Sequence, residues 1–259
     1  MIMVLGGTTE ARQLVEMLIG ENMAVLVSTA YDFAEKFIPK SALIKHISGK
    51  LDSKAMLALI RDENIKAIVD AAHPYAVGAR KNAKEACKRA GITYLRLERS
   101  PCDRESGKTY RRAYEAGSFE QAIVKACELG KNIFIAAGSN EAALFYRETS
   151  TRGRKAYIRS LPDDFAVNRC LKAGFLRDEI VTGVGPFSYE DNYRLWKELG
   201  IDVVVTKESG VAGGFAEKIR AAKDLGINVV IIKRPPPEQD AFLSAEAVLQ
   251  AIKTIEAGR

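Results

Sequence analysis

The sequence is poor in the residues that build metal and disulfide sites. It has only two histidines, His46 and His73, and four cysteines that form no CxxC pair. A structural or catalytic metal site needs such ligands at closely defined spacings, so we expect no metal site. Scattered cysteines are typical of free thiols in a reducing compartment, and this pattern argues against a disulfide-stabilised secreted fold.

Long hydrophobic runs are also missing. No apolar stretch approaches the roughly 18 residues that a membrane-spanning helix requires. The N-terminal segment lacks the ordered basic, apolar and cleavage regions of a signal peptide, and a strand-like run begins almost at once. We therefore predict a cytoplasmic protein with no membrane partner, whose 259 residues suit one large or two modest domains.

Positive charge is in excess and unevenly distributed. The net charge is +6, and basic residues concentrate in Arg99–Arg112 and Tyr146–Ser160. Basic stretches are most often solvated loops. The functional alternatives are nucleic acid and a small polyanion, and the absence of a zinc finger or RNA-recognition signature favours a small anionic ligand.

Short apolar runs alternate with helical patterns along the chain. The first set of predicted strands ends with Thr93–Leu97, and a second set begins with Asn132–Ala137 and includes Asp202–Thr206 and Asn228–Lys233. Val- and Ile-rich strands separated by helices are typical of parallel sheets. The sequence therefore predicts two Rossmann-like or flavodoxin-like α/β domains, residues 1–100 and 101–259, with a boundary soft by about ten residues.

Unusual residues follow four of these strands at their carboxyl ends, where ligands bind in open α/β sheets. They are Gly6-Gly7-Thr8-Thr9, Asp70–Tyr75, Gly138-Ser139-Asn140, and Thr206–Gly210 with Gly213 and Gly214. Each has a structural alternative, because Thr8 or Thr9 can simply cap a helix and a histidine before proline is more often structural. A lysine, an acid and a hydroxyl before three glycines are harder to explain by structure alone.

The opening turn lacks the glycine spacing of the dinucleotide fingerprint, although it follows a strand and precedes a helix. Such a turn still offers backbone N–H groups and the positive end of a helix to a phosphate. Because the suspicious strand ends come from both halves of the chain, we also expect cofactor and substrate to share a cleft between the domains.

Several motifs in this order resemble the precorrin-6A reductase family of cobalamin biosynthesis. They are LGGTTEAR (Leu5–Arg12), DAAHPYA (Asp70–Ala76), GITYLRLER (Gly91–Arg99), AAGSNE (Ala136–Glu141), GPFSYEDN (Gly185–Asn192) and VVVTKESGVAGG (Val203–Gly214). The resemblance implies an oxidoreductase that transfers hydride from NADPH or NADH to one double bond of precorrin-6A or cobalt-precorrin-6A, giving the 6B form. It also implies a polycarboxylate tetrapyrrole as the small-molecule partner, which arginines can clamp.

The resemblance and the strand ends together suggest roles for named residues. The cofactor site is predicted to comprise Gly6, Gly7, Thr8, Thr9, Arg12, Ser28, Thr29, His73, Pro74, Ser209 and Gly210. The substrate site is predicted to comprise Ser139, Asn140, Lys207, Glu208, Gly213, Gly214, Arg152 and Arg154. If a protein side chain supplies the proton, Lys207 and His73 are the candidates, with Tyr75 behind them.

Several alternatives stay open at this stage. Ser28 and Thr29 offer hydroxyls but no adjacent base, with Lys36 the base within reach, so the choice between NADPH and NADH is not decided. Lys207 can instead contact a carboxylate or the cofactor. An FMN-binding flavodoxin-like module or a non-catalytic dinucleotide-binding protein is the rival class. The oligomeric state is left unassigned.

Overall fold

A computed structural model describes residues 1–30, 32–98, 110–209 and 213–257. Its chain divides into two compact units, the first made of residues 1–100 and 235–259 and the second of residues 101–234. The basic stretch Arg99–Arg112 falls almost entirely outside the described residues, as does Gly210. Because residues 235–259 join the first unit, the observed division differs from the predicted one, which assigned them to the second domain.

The described residues contain eleven strands and nine α-helices. The strands are β1 (Ile2–Leu5), β2 (Val25–Thr29), β3 (Ile44–Ser48), β4 (Ala67–Asp70), β5 (Thr93–Arg96), β6 (Ala113–Ala116), β7 (Asn132–Ala136), β8 (Lys155–Ser160), β9 (Ile180–Thr182), β10 (Val203–Lys207) and β11 (Asn228–Ile232). The helices are α1 (Thr9–Gly20), α2 (Ser53–Asp62), α3 (Val77–Ala90), α4 (Phe119–Leu129), α5 (Ala142–Thr151), α6 (Asp164–Ala173), α7 (Tyr189–Glu198), α8 (Phe215–Leu225) and α9 (Ala245–Ala257).

The first unit contains a parallel sheet in the order β3-β2-β1-β4-β5. Strand β1 pairs with β2 on one side and β4 on the other, so that Leu5 lies beside both Ser28 and Asp70. The strand order therefore reverses next to β1, which is where ligands bind in doubly wound sheets. This order is that of dinucleotide-binding domains, whereas the flavodoxin order is 2-1-3-4-5.

Alternating residues of β1 face two layers of helices. Ile2 and Val4 pack in one apolar cluster with α1 and α9, while Met3 and Leu5 pack in another with α2 and α3. The C-terminal helix α9 belongs to the first cluster because its Val248 and Ile252 are fully buried there. This burial of apolar area explains why the end of the chain returns to the first unit.

The second unit contains a six-stranded parallel sheet in the order β6-β11-β10-β7-β8-β9. The order reverses between β7 and β10, so their carboxyl ends are neighbours at a second switch point. Helices α7 and α8 cover one face, where Trp196 and Phe215 pack against Phe134 and Val204 of the sheet. Strand β6 and helices α5 and α6 were not predicted from the sequence.

Three further observations bear on the class of protein. None of the helices in the described ranges combines the length and apolar character needed to cross a membrane. In those same ranges, no group of three or more His, Cys, Asp or Glu side chains is placed to hold a metal ion. Cys87, Cys127 and Cys170 are buried free thiols.

Candidate functional site

The glycine turn after β1 lies at the switch point of the first sheet. The Gly6 N–H donates to the Ser28 carbonyl at 2.8 Å, and a Cβ at Gly6 would lie 3.2 Å from Val27. Gly7 has φ of +97° and open space around its Cα, so a side chain there would project into the volume in front of the turn. The turn is thus shaped for close approach of a ligand to backbone.

Thr8 connects this turn to the next strand end. Its Oγ1 accepts from the Ala11 N–H at 3.1 Å as the N-cap of α1 and donates to the Ala71 carbonyl at 2.8 Å. The Thr8 hydroxyl therefore has the structural role of a helix cap and is engaged in two hydrogen bonds within the protein. Thr9 and Arg12 lie exposed on the first turn of α1, where unpaired N–H groups and the helix dipole favour an anion.

The carboxyl end of β2 contributes two buried hydroxyls, Ser28 and Thr29. The Thr29 Oγ1 lies 2.8 Å from Nε2 of His46, a residue of β3 that the sequence analysis did not assign to a site. The carboxyl end of β2 thus lies on one side of the glycine turn, and that of β4 lies on the other.

The turn after β4 holds the predicted residues His73, Pro74 and Tyr75 close together. Nδ1 of His73 accepts from the Tyr75 N–H at 3.4 Å, and their rings stack with centroids 5.4 Å apart. This hydrogen bond leaves Nε2 as the donor of the neutral ring. Pro74 is buried, and its carbonyl accepts from Nη2 of Arg80 at 3.2 Å.

A buried ionic cluster under this turn was missed by the sequence analysis. Asp70 is fully buried and receives hydrogen bonds from Tyr94 Oη at 3.0 Å and Arg80 Nε at 3.3 Å. Arg96 lies 2.9 Å from the same carboxylate and 3.2 Å from Glu98. Burial and the Asp70 carboxylate raise the pKa of Tyr94. The cluster fixes the turn because its members satisfy one another's charges.

At the second switch point, the turn after β7 carries Ser139 and Asn140. Gly138 has φ of +81°, Ser139 is buried, and Asn140 accepts a hydrogen bond from Nη1 of Arg169. These residues follow β7 directly and neighbour the end of β10. The structure thus brings the predicted Gly-Ser-Asn turn beside the predicted lysine segment.

Lys207 ends β10 with its Nζ 5.1 Å from the centroid of the Phe119 ring. Burial lowers the pKa of Lys207 to about 8, against the opposing effect of Glu141. A group with such a pKa can exchange a proton near neutral pH.

The residues after Lys207 form hydrogen bonds within the loop and to the end of β11. Oε2 of Glu208 accepts from the Arg234 N–H at 3.1 Å, and Oγ of Ser209 donates to the Gly213 carbonyl at 3.3 Å. Gly214 precedes α8 with φ of +63°, and a Cβ there would lie 3.3 Å from the Phe187 carbonyl. These contacts shape the loop that leads into α8.

Arg152 and Arg154 lie at the opposite edge of the second sheet. Both precede β8, so they lie at the amino end of that strand. Arg152 is exposed and pairs with Glu148, while Nε of Arg154 donates to the Cys127 carbonyl at 2.9 Å. The structure therefore does not bring these two arginines together with the other predicted substrate residues, which lie at the carboxyl edge.

Two buried cations at the carboxyl edge escaped the sequence analysis. Arg159 is the penultimate residue of β8 and Lys218 lies in the first turn of α8, and each exposes less than a tenth of its surface. Burial lowers the pKa of Arg159 to about 10 and that of Lys218 to about 8. A single charged residue within a strand or helix does not show from the sequence whether its side chain is buried, so neither Arg159 nor Lys218 could be predicted as a site residue.

Comparisons with known proteins identify the family to which the chain is similar. The family described as precorrin-6x reductase CbiJ/CobK matches residues 1–253. The chain is 30% identical to the cobalt-precorrin-6A reductase of Methanothermobacter thermautotrophicus, covering 98% of this chain and 82% of that protein. It is 32% identical to the protein of the same name from Salmonella typhimurium, covering 95% and 92%. A solved structure, CobK precorrin-6A reductase, superposes with a TM-score of 0.77 at 25% identity, covering 98% and 96%.

Proposed function

Because the chain belongs to the precorrin-6x reductase family, we propose that it reduces one double bond of precorrin-6A or cobalt-precorrin-6A with a nicotinamide cofactor. The observation that carries this proposal is the family match over almost the whole chain, joined to two sheets whose switch points hold the matching motifs. The protein is then an oxidoreductase of cobalamin biosynthesis acting on a CH–CH bond.

The residues of the first unit fit a dinucleotide. Gly7 leaves open space before the first turn of α1, where N–H groups and the helix dipole point, and Arg12 adds a charge on that turn. The hydroxyls of Ser28 and Thr29 end β2, where a doubly wound sheet places the adenosine ribose. We assign Gly6–Thr9, Arg12, Ser28 and Thr29 to the cofactor site, with His73 and Pro74 beside them.

This sheet order also separates the proposal from its rivals. An FMN-binding flavodoxin-like module would place its ligand in a sheet of order 2-1-3-4-5, and the first sheet here has the order 3-2-1-4-5. A non-catalytic dinucleotide-binding protein would not need the second switch point with Ser139, Asn140 and the half-buried Lys207. Both features favour a reductase with a separate macrocycle site.

The second unit is the proposed macrocycle side of the reaction. Ser139, Asn140 and Lys207 lie at neighbouring strand ends, and Gly213 and Gly214 belong to the loop that leads into α8. When bound, the nicotinamide supplies the hydride. We assign Lys207 the role of holding a proton at Nζ, since its lowered pKa of about 8 leaves it mostly protonated but ready to release a proton at neutral pH.

His73 is assigned to the cofactor side instead. Its ring is held by the Tyr75 N–H and ring, and it neighbours the glycine turn through the Thr8–Ala71 hydrogen bond. We propose that Nε2 of His73 donates to the cofactor and that Tyr75 positions the imidazole. The predicted cleft shared by the two domains stays a prediction.

The decisive experiment is anaerobic incubation with precorrin-6A and, separately, its cobalt form, each with NADPH and with NADH. We expect the absorbance of the reduced nicotinamide to fall only when macrocycle and cofactor are both present. Cofactor binding without turnover would instead identify a non-catalytic dinucleotide-binding protein, and a yellow purified protein would identify a flavin protein. The preferred nicotinamide and the preferred macrocycle are read from the same four reactions.

A further inference from the structure

A small cavity opens at the carboxyl edge of the second sheet. Its volume is about 140 Å³, and its lining includes the side chains of Arg159, Lys218, Pro186 and Phe187. An apolar cavity of about 150 Å³ accepts a benzene molecule, so a space of this size accepts a side-chain-sized group and excludes a whole macrocycle.

Arg159 is held rigidly in this cavity by aromatic and amide contacts. Its guanidinium carbon lies 3.9 Å from the centroid of the Phe187 ring and 4.8 Å from that of Phe134. Nη1 donates to Oδ1 of Asn192 at 2.8 Å, whereas the buried Nε has no hydrogen-bond partner. A buried donor without a partner is costly, and such groups commonly mark the place of a ligand.

Lys218 brings a second buried charge to the same cavity. Its Nζ donates to the Gly213 carbonyl at 2.7 Å and forms no ion pair with a carboxylate in the described ranges. The charged neighbours that act on the two cations are Glu217, Asp191 and Lys207. Asp191 is half exposed and caps α7, and among the described residues neither Asp191 nor Glu217 forms an ion pair with Arg159 or Lys218.

We propose that Arg159 and Lys218 form a pocket for one carboxylate side chain of the tetrapyrrole substrate, an inference that rests on the proposed function. The guanidinium and the ammonium supply charge-assisted donors to the carboxylate. The walls of Pro186 and Phe187 pack against the methylene carbons of an acetate or propionate group. A macrocycle that carries several such groups is thereby fixed in orientation as well as bound.

Lowered pKa values at both cations agree with this arrangement. Two like charges buried without a carboxylate partner destabilise the folded protein, and a bound carboxylate removes that cost. The pocket therefore sacrifices some stability for binding. If the two cations were only structural, replacing them would lower the stability of the protein. If they bind a ligand carboxylate, replacing them weakens binding without lowering stability.

The test uses the one tryptophan of the chain as its reporter. Trp196 packs 5.9 Å from Phe134, which itself contacts Arg159, so an absorbing macrocycle bound here quenches its fluorescence. We would titrate the full-length protein with precorrin-6A and its cobalt form anaerobically, comparing Lys218→Met and Arg159→Gln with the exposed controls Lys223→Met and Arg177→Gln. NADPH and NADH are titrated separately as the second arm.

We expect the macrocycle dissociation constant and KM to rise about tenfold or more in both pocket variants, with kcat and cofactor affinity nearly unchanged. Lys218→Met is expected to be at least as stable as the parent, because Met conserves volume and the Gly213 carbonyl keeps its Ser209 donor. Arg159→Lys, which keeps the charge but not the planar fork, is expected to lie between parent and Arg159→Gln.

Three outcomes would overturn the pocket. Macrocycle affinity unchanged in Lys218→Met would do so while leaving the proposed function intact. Loss of cofactor affinity instead of macrocycle affinity would reassign the cavity to a cofactor phosphate. Failure of the parent protein itself to reduce either macrocycle would overturn the proposed function, and with it the macrocycle as source of the carboxylate.

Discussion

Replacing Asp70 with Asn tests whether the buried ionic cluster fixes the turn that carries His73. Asp70 exposes none of its surface, and its carboxylate is shared by Arg96, Arg80 and Tyr94. Asn conserves the shape but removes the charge that balances a guanidinium only 2% exposed. Removing one partner of a buried ion pair costs about 3–5 kcal/mol.

The lower end of that range applies here. Glu98 remains 3.2 Å from Arg96 and keeps part of its charge compensated, so we expect a loss of about 3 kcal/mol in the free energy of unfolding. Whole domains are stable by only about 5–15 kcal/mol, which makes this a large fraction for the first unit. In urea the midpoint would fall by about 1 M or more.

The assay is urea unfolding followed by far-ultraviolet circular dichroism, which reports both units, and by fluorescence of Trp196, which lies in the second. Asp62→Asn, an exposed position on α2, is the matched control. We expect the dichroism transition of Asp70→Asn to shift and cofactor affinity to fall with it. A variant within about 0.5 kcal/mol of the parent would refute the reasoning that this cluster holds the turn.

Three further predictions follow from single sites. Gly7→Val should weaken nicotinamide binding about tenfold or more in an affinity titration, since its side chain enters the open space before the turn. A valine at φ of +97° also costs about 1–3 kcal/mol of stability. Gly153→Val, also at positive φ, is the control for that loss of stability. Replacing Arg152 and Arg154 with Gln should leave the macrocycle KM unchanged in steady-state kinetics, and a salt-sensitive increase would return them to the substrate site. The folded-state pKa of Lys218 is about 8, below its usual 10.5, so the folded protein releases this proton at a lower pH than the unfolded chain. The free energy of unfolding should therefore rise from pH 8 to 10.5 by at most about 1.4 kcal/mol per pH unit. Urea midpoints of Lys218→Met should lack this part of the rise, and the same dependence of the midpoint on pH in parent and variant would contradict the burial argument.

Much of the fold was predictable because buried parallel strands are written as short apolar runs. The runs predicted at Asn132–Ala137 and Asp202–Thr206 correspond to β7 and β10, and the polar residues after them mark the carboxyl ends. A short, mixed run such as Ala113–Ala116 carries too few apolar residues to signal a strand, which is why β6 was missed. The family itself was recognisable from motifs spread along the chain.

The candidate site was predictable only where its residues follow strands. Gly7 and Lys207 stand at such positions, and parallel pairing brings their neighbours together at one edge of each sheet. The same rule places Arg152 and Arg154 at the opposite edge, since they precede β8. Local richness in basic residues suggested a substrate role for them, and their position before β8 argues against that role.

Sequence alone determined most of the alternation of strands and helices and the turns at the strand ends, because each is encoded by residues near one another in the chain. It also determined the family, because each of the motifs that identify it is itself a short local stretch. Tertiary structure alone decided that α9 packs on the first unit, that Asp70 is balanced by Arg96, and that Arg159 and Lys218 share a cavity. An amphipathic helix does not specify which surface covers it, and a charged side chain does not specify its partner. Both depend on contacts between distant segments, which form only when the sheets assemble and exclude water.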